Sequence, residues 1–133
     1  MVRHWKETGL FDLIRAAYDR GVLICGLSAG AICWFEKMYT DSAQLEGNTV
    51  YSLVSGLNWV KGTISPHYNL RALDFNEIIL YNREDAVALE DLSAIEVVNG
   101  EIVHSFSFGG RAYRINSEGG KLIKQVVAPE IIL

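Results

Sequence analysis

The feature that most constrains the fold is an apolar run that ends in a Gly-x-Ser-x-Gly pattern. The run Val22–Cys25 predicts a buried strand, because apolar residues without polar interruption fill the centre of a parallel sheet. The pattern Gly26–Gly30 follows directly, with Ser28 at its centre, and a helix is predicted from Ala29 to Lys37. A sharp strand-to-helix turn of this kind holds its central side chain exposed on a strained backbone. We therefore interpret Ser28 as a candidate nucleophile.

The residues on either side of Ser28 fit this interpretation chemically. Both glycines of the pattern are expected where a Cβ would clash with a neighbouring strand or helix. The first N–H groups of the following helix lack partners within that helix, so they can stabilise a developing oxyanion. The same pattern also occurs in loops that only pack tightly. The interpretation therefore requires a base and an acid elsewhere in the chain.

Length and composition limit the classes of protein to which the chain can belong. Its 133 residues are enough for a single domain, 1–133, and half of them are hydrophobic. Lys and Arg are few and scattered and the net charge is −4, so we expect no nucleic-acid partner. No apolar run approaches the length of a membrane span, and the polar N-terminus does not resemble a signal peptide. We therefore expect a cytoplasmic protein with no membrane partner.

The two cysteines, Cys25 and Cys33, are too few for a disulfide framework, and we expect two reduced thiols. The three histidines and two cysteines show no ligand spacing, so we expect no metal site. A cysteine nucleophile is discounted, because neither thiol occupies the centre of the Gly-x-Ser-x-Gly pattern.

The order of the predicted elements favours an α/β fold with parallel strands. Apolar residues at three- and four-residue steps predict one helix from His4 to Arg20 and another from Leu70 to Asn82. A polar loop is predicted over Thr40 to Asn48. Glycine turns divide the C-terminal third into strands, which predicts hairpins appended to the α/β core. The predicted strands after the loop are Thr49–Leu53, Leu57–Ile64, Ala86–Leu89, Ala94–Val98, Glu101–Ser107, Arg111–Ile115 and Lys121–Val127.

Among the three histidines, His67 is the best candidate for the base that a serine nucleophile needs. It follows a strand-like run and Pro66 and precedes a helix, and loops at the carboxyl ends of strands carry reactive groups in α/β enzymes. His4 lies on the first predicted helix, and His104 lies in an alternating strand, where a structural histidine is the ordinary expectation. The alternative for His67 is a surface-loop residue that bonds to local backbone.

Spacing alone does not select the carboxylate that would orient the histidine. Glu90 and Asp91 directly follow an apolar strand, so they are expected at its end, whereas Asp74 and Glu77 fit the solvated face of a helix. The candidates are Asp41, Glu46, Asp74, Glu77, Glu84, Asp85, Glu90 and Asp91.

Three motifs together resemble the peptidase E group of serine peptidases, which includes alpha-aspartyl dipeptidase and cyanophycinase. The motifs are Gly26-Leu27-Ser28-Ala29-Gly30-Ala31, Pro66-His67-Tyr68 with Arg71, and Leu89-Glu90-Asp91 with Ala94. They occur in the family's order and at similar spacing. The resemblance extends through nearly the whole chain, including Gly110-Arg111-Ala112-Tyr113-Arg114.

The resemblance implies a parallel-sheet core like that of class I glutamine amidotransferases, with serine at the elbow. It implies a serine peptidase without a cofactor, in which Ser28 is the nucleophile, His67 the base and Ala29 an oxyanion donor. The family's acid is usually a glutamate and its position falls on Asp91, while the neighbouring Glu90 would point to the other face of a strand. The implied substrates are short peptides, with Asp-Xaa dipeptides as candidates.

Arg71 matches a position that lies in the substrate pocket of cyanophycinase-like members. A guanidinium binds a carboxylate through two parallel hydrogen bonds, so Arg71 would suit an aspartyl side chain or a free peptide terminus. The alternative is a helix-surface arginine that pairs with Asp74 or Glu77, and both interpretations stay open.

The family carries strands and helices before the elbow strand that have no counterpart in this sequence. They include a Gly-Gly-Asn-like turn that supplies a second oxyanion donor. Without them, a central strand such as Val22–Cys25 would expose apolar surface and unpaired backbone. We therefore expect association with a copy of this chain or with a complementary fragment. A catalytically impaired fragment that oligomerises or binds a partner remains the alternative to an active peptidase.

Overall fold

The computed structural model describes residues 1–42, 50–129 and 131–132, and these residues form an α/β fold. The helices are α1 (Val2–Glu7), α2 (Leu10–Tyr18), α3 (Ala29–Ile32) and α4 (Tyr68–Asn82). The strands are β1 (Phe35–Thr40), β2 (Ser52–Ser55), β3 (Val60–Ser65), β4 (Ala86–Leu89), β5 (Ser93–Val98), β6 (Glu101–Ser107), β7 (Ala112–Glu118), β8 (Lys121–Val127) and β9 (Ile131–Ile132).

The main sheet has six strands in the order β2-β1-β3-β4-β7-β8. Its centre is parallel, since β3 pairs in parallel with both β1 and β4. The strands outside this centre are antiparallel to their neighbours. Because the carboxyl ends of parallel strands lie at one edge of a sheet, the segments that follow β3 and β4 meet there. These are the segments that carry His67 and Asp91.

Strand β4 shows how the sheet separates two apolar cores. Ala86 and Ala88 pack on one face with Phe75 of α4, whereas Val87 and Leu89 pack on the other face. The alternation follows from the period of two in a strand. Helices α1 and α2 and the small sheet cover the second face through partly buried apolar side chains. A four-residue apolar strand with both faces covered fixes the position of the residues that follow it.

The prediction of C-terminal hairpins appended to the α/β core is confirmed, and the two hairpins differ in the sheet that they join. Strands β5 and β6 pair with each other and with β9 in a separate three-stranded sheet. Strands β7 and β8 form a hairpin that extends the main sheet, because the first four residues of β7 pair with all four residues of β4.

Two predicted helices are shorter than expected. The helix predicted from His4 to Arg20 is divided into α1 and α2, because Gly9 takes a left-handed conformation with φ 74°. The helix predicted from Ala29 to Lys37 stops at Ile32. The residues from Phe35 onward pair with β2 and β3 instead, so sheet pairing outweighs local helical spacing. Among the described residues, no helix is long and apolar enough to cross a membrane.

The predicted strand Val22–Cys25 is wrong in the described part of the chain, because no described strand forms a ladder with it. A strand exists only through its hydrogen-bonded neighbours. Apolar side chains in and just after the segment face solvent: Val22 is 50% exposed, Leu23 79% and Leu27 91%. The expected exposure of apolar surface is therefore seen. Association through this segment stays a prediction.

The remaining predicted elements are confirmed to within a few residues. Strands Ala86–Leu89, Glu101–Ser107 and Lys121–Val127 have their predicted bounds, and the predicted helix Leu70–Asn82 begins two residues earlier, at Tyr68. Thr40, predicted to begin a loop, ends β1 instead. The rest of that loop from residue 43 onward, the candidate acid Glu46 and the predicted strand start at Thr49 lie outside the described residues.

Candidate active site

Ser28 occupies a sharp turn between the irregular segment 22–27 and helix α3. Its backbone has φ 48° and ψ −116°, a conformation that a residue with a Cβ rarely adopts. The turn is closed by hydrogen bonds from Gly30 N to Leu27 O (2.8 Å) and from Ala31 N to Ser28 O (2.9 Å). The Ser28 side chain is consequently exposed beside the start of α3.

The two glycines of the turn differ in whether a side chain could fit in their place. A Cβ on Gly26 would lie 2.0 Å from the Gly30 carbonyl oxygen, so only glycine fits there. The clashing atoms belong to helix α3, so the predicted clash with a neighbouring helix is confirmed at Gly26. A Cβ on Gly30 would meet no described atom within 4 Å, so the predicted clash at that glycine is wrong.

A continuous chain of hydrogen bonds connects Ser28, His67 and Asp91. Ser28 Oγ lies 3.0 Å from His67 Nε2, and His67 Nδ1 lies 2.5 Å from Asp91 Oδ1. Since an ionised carboxylate only accepts hydrogen bonds, a neutral His67 carries its proton on Nδ1. The lone pair of Nε2 then faces the Ser28 hydroxyl, which donates to it. This is the arrangement in which an imidazole can remove the serine proton.

His67 reaches both partners because of its place between β3 and α4. It is the N-cap of α4 and has a left-handed conformation with φ 52°. Ser28 and Leu92, which follows Asp91, also have positive φ. Three of the six described non-glycine residues with positive φ therefore lie in the site or next to it. Such strain clusters where a fold holds side chains in a fixed geometry.

The Asp91 carboxylate is divided between two partners. Its Oδ1 contacts His67, and its Oδ2 accepts a hydrogen bond from Asn69 Nδ2 at 3.1 Å. The hydrogen bonds from His67 and Asn69 lower the pKa of Asp91 below its ordinary value, with a smaller contribution from the positive charge of Arg71. The carboxylate is therefore ionised at neutral pH.

Glu90 faces away from His67. Its side chain accepts hydrogen bonds from the Arg111 backbone N–H and from the Tyr113 hydroxyl, both at 2.9 Å. Burial and the bond to Glu90 raise the pKa of Tyr113, which keeps its hydroxyl a donor. Of the two adjacent carboxylates, Asp91 is the one that contacts the imidazole. Glu90 instead connects the segment after β4 to β7 through its two hydrogen bonds.

Arg71 lies one helical turn beyond His67 on α4 and is only 8% exposed. Its Nη2 lies 3.2 Å from Asp41 Oδ2, and its guanidinium carbon lies 4.7 Å from the centre of the Tyr51 ring. The expected alternative of a surface arginine paired with Asp74 or Glu77 is therefore wrong, because the side chain is buried and its ionic partner follows β1.

The other described candidates do not reach the imidazole. Glu84 binds Lys37 and Thr63, and Asp41 binds Arg71. His104 Nδ1 lies 2.7 Å from Glu96 in the small sheet. Burial raises the pKa of the Cys33 thiol to about 11, so this cysteine is not a thiolate at neutral pH. Among the described residues, no group of three His, Cys, Asp or Glu side chains could hold a metal ion.

Asn69 is the one side chain at this site that the sequence analysis did not select. It makes two hydrogen bonds to Asp91, one to the carboxylate and one from the backbone N–H. The available signal was an amide two residues after His67 at the start of a predicted helix. Such a residue is ordinarily interpreted as a solvated position in the first turn.

Comparison with known proteins identifies the relatives of this chain. The sequence model of Peptidase family S51 matches residues 1–105. An uncharacterized peptidase of Bacillus subtilis (strain 168), YgaJ, is 35% identical over 121 residues, which cover 84% of this chain and 49% of the relative. The chain thus spans about half the length of the curated relative that it matches. No solved structure matches this chain. A match over residues 1–105 takes in all three motifs, and the chain belongs to peptidase family S51.

Proposed function

We propose that this chain carries the catalytic serine, histidine and aspartate of a serine peptidase that hydrolyses short peptides by acyl transfer. The observation that supports this proposal most strongly is the chain of hydrogen bonds from Ser28 through His67 to Asp91, at 3.0 and 2.5 Å. Family membership supports a peptidase independently of this geometry. The free thiols Cys25 and Cys33 agree with a reducing, cytoplasmic setting, which is part of the proposal.

In the proposed reaction, Ser28 Oγ attacks the carbonyl carbon of the scissile peptide bond while His67 Nε2 takes the serine proton. Collapse of the tetrahedral intermediate breaks the C–N bond, and the same proton passes to the leaving amine. Water then attacks the acyl-serine with His67 again as the base, and Ser28 is regenerated. Asp91 holds the imidazole orientation and stabilises its cationic form throughout.

The proposed oxyanion donor is the backbone N–H of Ala29, the first residue of α3. No described residue accepts a hydrogen bond from this N–H, so it is free for the substrate oxygen. One donor is fewer than a serine hydrolase ordinarily uses. Loss of a single oxyanion donor lowers turnover by about 10²–10³-fold. The rate of turnover should therefore depend strongly on whether a second donor joins Ala29 N–H at the substrate oxygen.

Arg71 is the proposed anchor for a carboxylate of the substrate, which makes Asp-Xaa dipeptides the candidate substrates. It lies close enough to the site for its positive charge to act on Asp91, which contacts His67. The guanidinium of Arg71 forms an ion pair with Asp41, which is itself half exposed. A substrate carboxylate would therefore bind Arg71 by displacing Asp41.

A catalytically impaired module that binds a partner is the second candidate function. It is favoured by the exposed apolar segment 22–27, which no described strand pairs with. It is also favoured by the exposure of the site, since the side chains of His67 and Asp91 are 35% and 47% exposed. Hydrogen bonds and charges act more weakly in contact with water than in a closed site.

Hydrolysis of Asp-Xaa and Ala-Xaa dipeptides by the purified chain distinguishes the two functions. An active peptidase releases free amino acids, and this release disappears in Ser28→Ala and His67→Ala variants that keep the wild-type circular dichroism. His104→Ala is the matched control, because His104 also contacts a carboxylate but lies in the small sheet. Folded wild-type protein that releases no amino acid from any short peptide would favour the binding module.

A further inference from the structure

We infer that Asn69 is the positioning residue of the site, which holds Asp91 in the one orientation that can bind His67. This inference rests on the proposed function and adds to it a fourth side chain. Two hydrogen bonds connect the same pair of residues: Asn69 Nδ2 donates to Asp91 Oδ2 at 3.1 Å, and Asp91 N donates to Asn69 Oδ1 at 3.0 Å. Together they close a ring between one side chain and the other residue's backbone and carboxylate.

The ring determines which way the Asn69 amide faces. The Asp91 backbone N–H can only donate, so it requires the amide oxygen of Asn69 on its side. The amide NH₂ group is then directed at the carboxylate, which can only accept while it is ionised. The two contacts therefore fit one amide orientation and one charge state of Asp91.

Asn69 acts on the imidazole indirectly, because the two oxygens of the Asp91 carboxylate bind different partners. Because Oδ2 is held by Asn69, Oδ1 is the oxygen that faces His67 Nδ1. Rotation of the carboxylate would break two hydrogen bonds at once. This constraint matters here because Asp91 is 47% exposed and follows a strand end, where water competes for both oxygens.

The backbone at His67 explains why residues 67 and 69 can reach the same carboxylate. Side chains two apart in a regular helix point in different directions. His67 precedes α4 in a left-handed conformation, with φ 52° and ψ 38°, so its ring is directed independently of the helix. Asn69 is the second residue of α4 and reaches Asp91 from the first turn.

Charge supports the same assignment. The hydrogen bond from Asn69 is one of the causes that lower the pKa of Asp91, after that from His67. The groups that act on the Asp91 charge are His67, Asn69 and, at longer range, Arg71. An aspartate at position 69 would place a second negative charge against Oδ2, and two adjacent carboxylates retain a proton to higher pH. The added negative charge would also favour a cationic imidazole, so this change should move the acid limb of the rate profile to higher pH.

The experiment measures the second-order rate constant for labelling of Ser28 by a fluorophosphonate probe as a function of pH. Asn69→Ala is expected to label about tenfold more slowly than wild type, the effect of one lost positioning interaction. Asn69→Asp is expected to move the acid limb of the profile to higher pH. Asn82→Ala, an exposed asparagine at the other end of α4, is the matched control and should label at the wild-type rate.

A second readout does not depend on activity. Proton NMR of the folded protein should show a downfield resonance for the His67 Nδ1–H that donates to Asp91, and Asn69→Ala should weaken or abolish it. Wild-type labelling rates in Asn69→Ala would overturn the inference. A purely structural role would also overturn it. In that case Asn69→Ala labels more slowly only because its unfolding midpoint is lower, the acid limb of Asn69→Asp stays at its wild-type pH, and the NMR resonance is unchanged. If wild type itself is not labelled, the proposed function fails, and dependence of the resonance on Asn69 still decides whether Asn69 positions Asp91.

Discussion

The carbonyl oxygen of Asp91 lies 1.9 Å from the position that a Cβ on Gly110 would occupy. The turn that carries Asp91 thus packs tightly against the loop Gly109–Gly110 before β7. Hydrogen bonds from Phe108 N and Gly110 N to Leu92 O, at 2.9 and 3.1 Å, hold the two segments together. The distance from Asp91 to His67 therefore depends on a residue that contacts neither Ser28 nor the imidazole.

Replacement of Gly110 by alanine should consequently weaken catalysis through Asp91. The added methyl group forces the Asp91 carbonyl to move, since 1.9 Å is far below any tolerated contact. We expect peptide hydrolysis to fall by about 10²-fold, because a displacement of about 1 Å at a catalytic group has an effect of this size. Steady-state assays on Gly110→Ala would measure it. Gly119→Ala is the control: its Cβ would meet no described atom within 4 Å, and its φ of 57° makes the backbone less favourable for alanine than at Gly110, where φ is not positive. Equal activities for the two variants would contradict the proposed coupling.

Glu84 should make the stability of the fold depend on pH in the acid range. It accepts hydrogen bonds from Lys37 and Thr63 on two neighbouring strands. Burial raises its pKa, but these bonds and the Lys37 charge outweigh burial, so the pKa lies below the ordinary 4.5. A lowered pKa means that the stabilisation is fully present above about pH 4.5 and is lost as the pH falls through the folded-state value.

The Glu84→Gln variant tests this dependence. Its free energy of unfolding in urea should be lower than that of wild type by about 1.5–3 kcal/mol at neutral pH, the usual size for hydrogen bonds to a charged group. The difference should shrink when the measurement is repeated at an acid pH low enough to protonate Glu84. Glu77→Gln, on the exposed face of α4, should unfold like wild type at both pH values. A difference that does not change with pH would contradict the charge effect.

Arg71 should determine the preference for acidic substrates. Because its guanidinium is the group proposed to bind a substrate carboxylate, Arg71→Met should raise KM for an Asp-Xaa dipeptide by about tenfold or more. Hydrolysis of an Ala-Xaa dipeptide should change much less. The comparison of kcat and KM for the two substrates provides the measurement. Equal losses on both substrates would show that Arg71 supports the fold through Asp41 and Tyr51 and does not select the substrate.

The exposed segment 22–27 should drive association. Its apolar side chains are exposed and no described strand pairs with it, as at an open sheet edge, which pairs readily with another strand. We expect sedimentation velocity at micromolar concentration to detect a species larger than the monomer. Leu23→Asp should shift the distribution toward monomer, since Leu23 is 79% exposed and contributes little to the core of one chain. A monodisperse wild-type monomer would contradict this expectation.

The sequence predicts the parts of this structure in which local pattern and long-range packing agree. The uniformly apolar run Ala86–Leu89 is a buried central strand with its predicted bounds, and helical spacing over Leu70–Asn82 corresponds to α4. The sequence also predicts that Ser28 and His67 lie near each other, because each follows an apolar segment and a serine nucleophile needs a base. Their mutual distance becomes known only from the structure.

The failures have a physical cause in common, since each depends on a distant partner. Local spacing predicts a helix through Phe35, yet pairing with β3 makes this segment a strand. The run Val22–Cys25 has the composition of a strand but no described neighbour. Asn69 was missed because a ring of two hydrogen bonds to Asp91 requires both the start of α4 and the end of β4 to be known.

The most direct test of the central proposal is labelling of the intact chain by a fluorophosphonate probe, followed by mass spectrometry of its peptides. We expect one adduct, on the peptide that contains Ser28, with labelling abolished in Ser28→Ala and strongly slowed in His67→Ala. Labelling that persists in folded Ser28→Ala, or an adduct found on another residue of the wild-type chain, would contradict the assignment of Ser28 as the nucleophile.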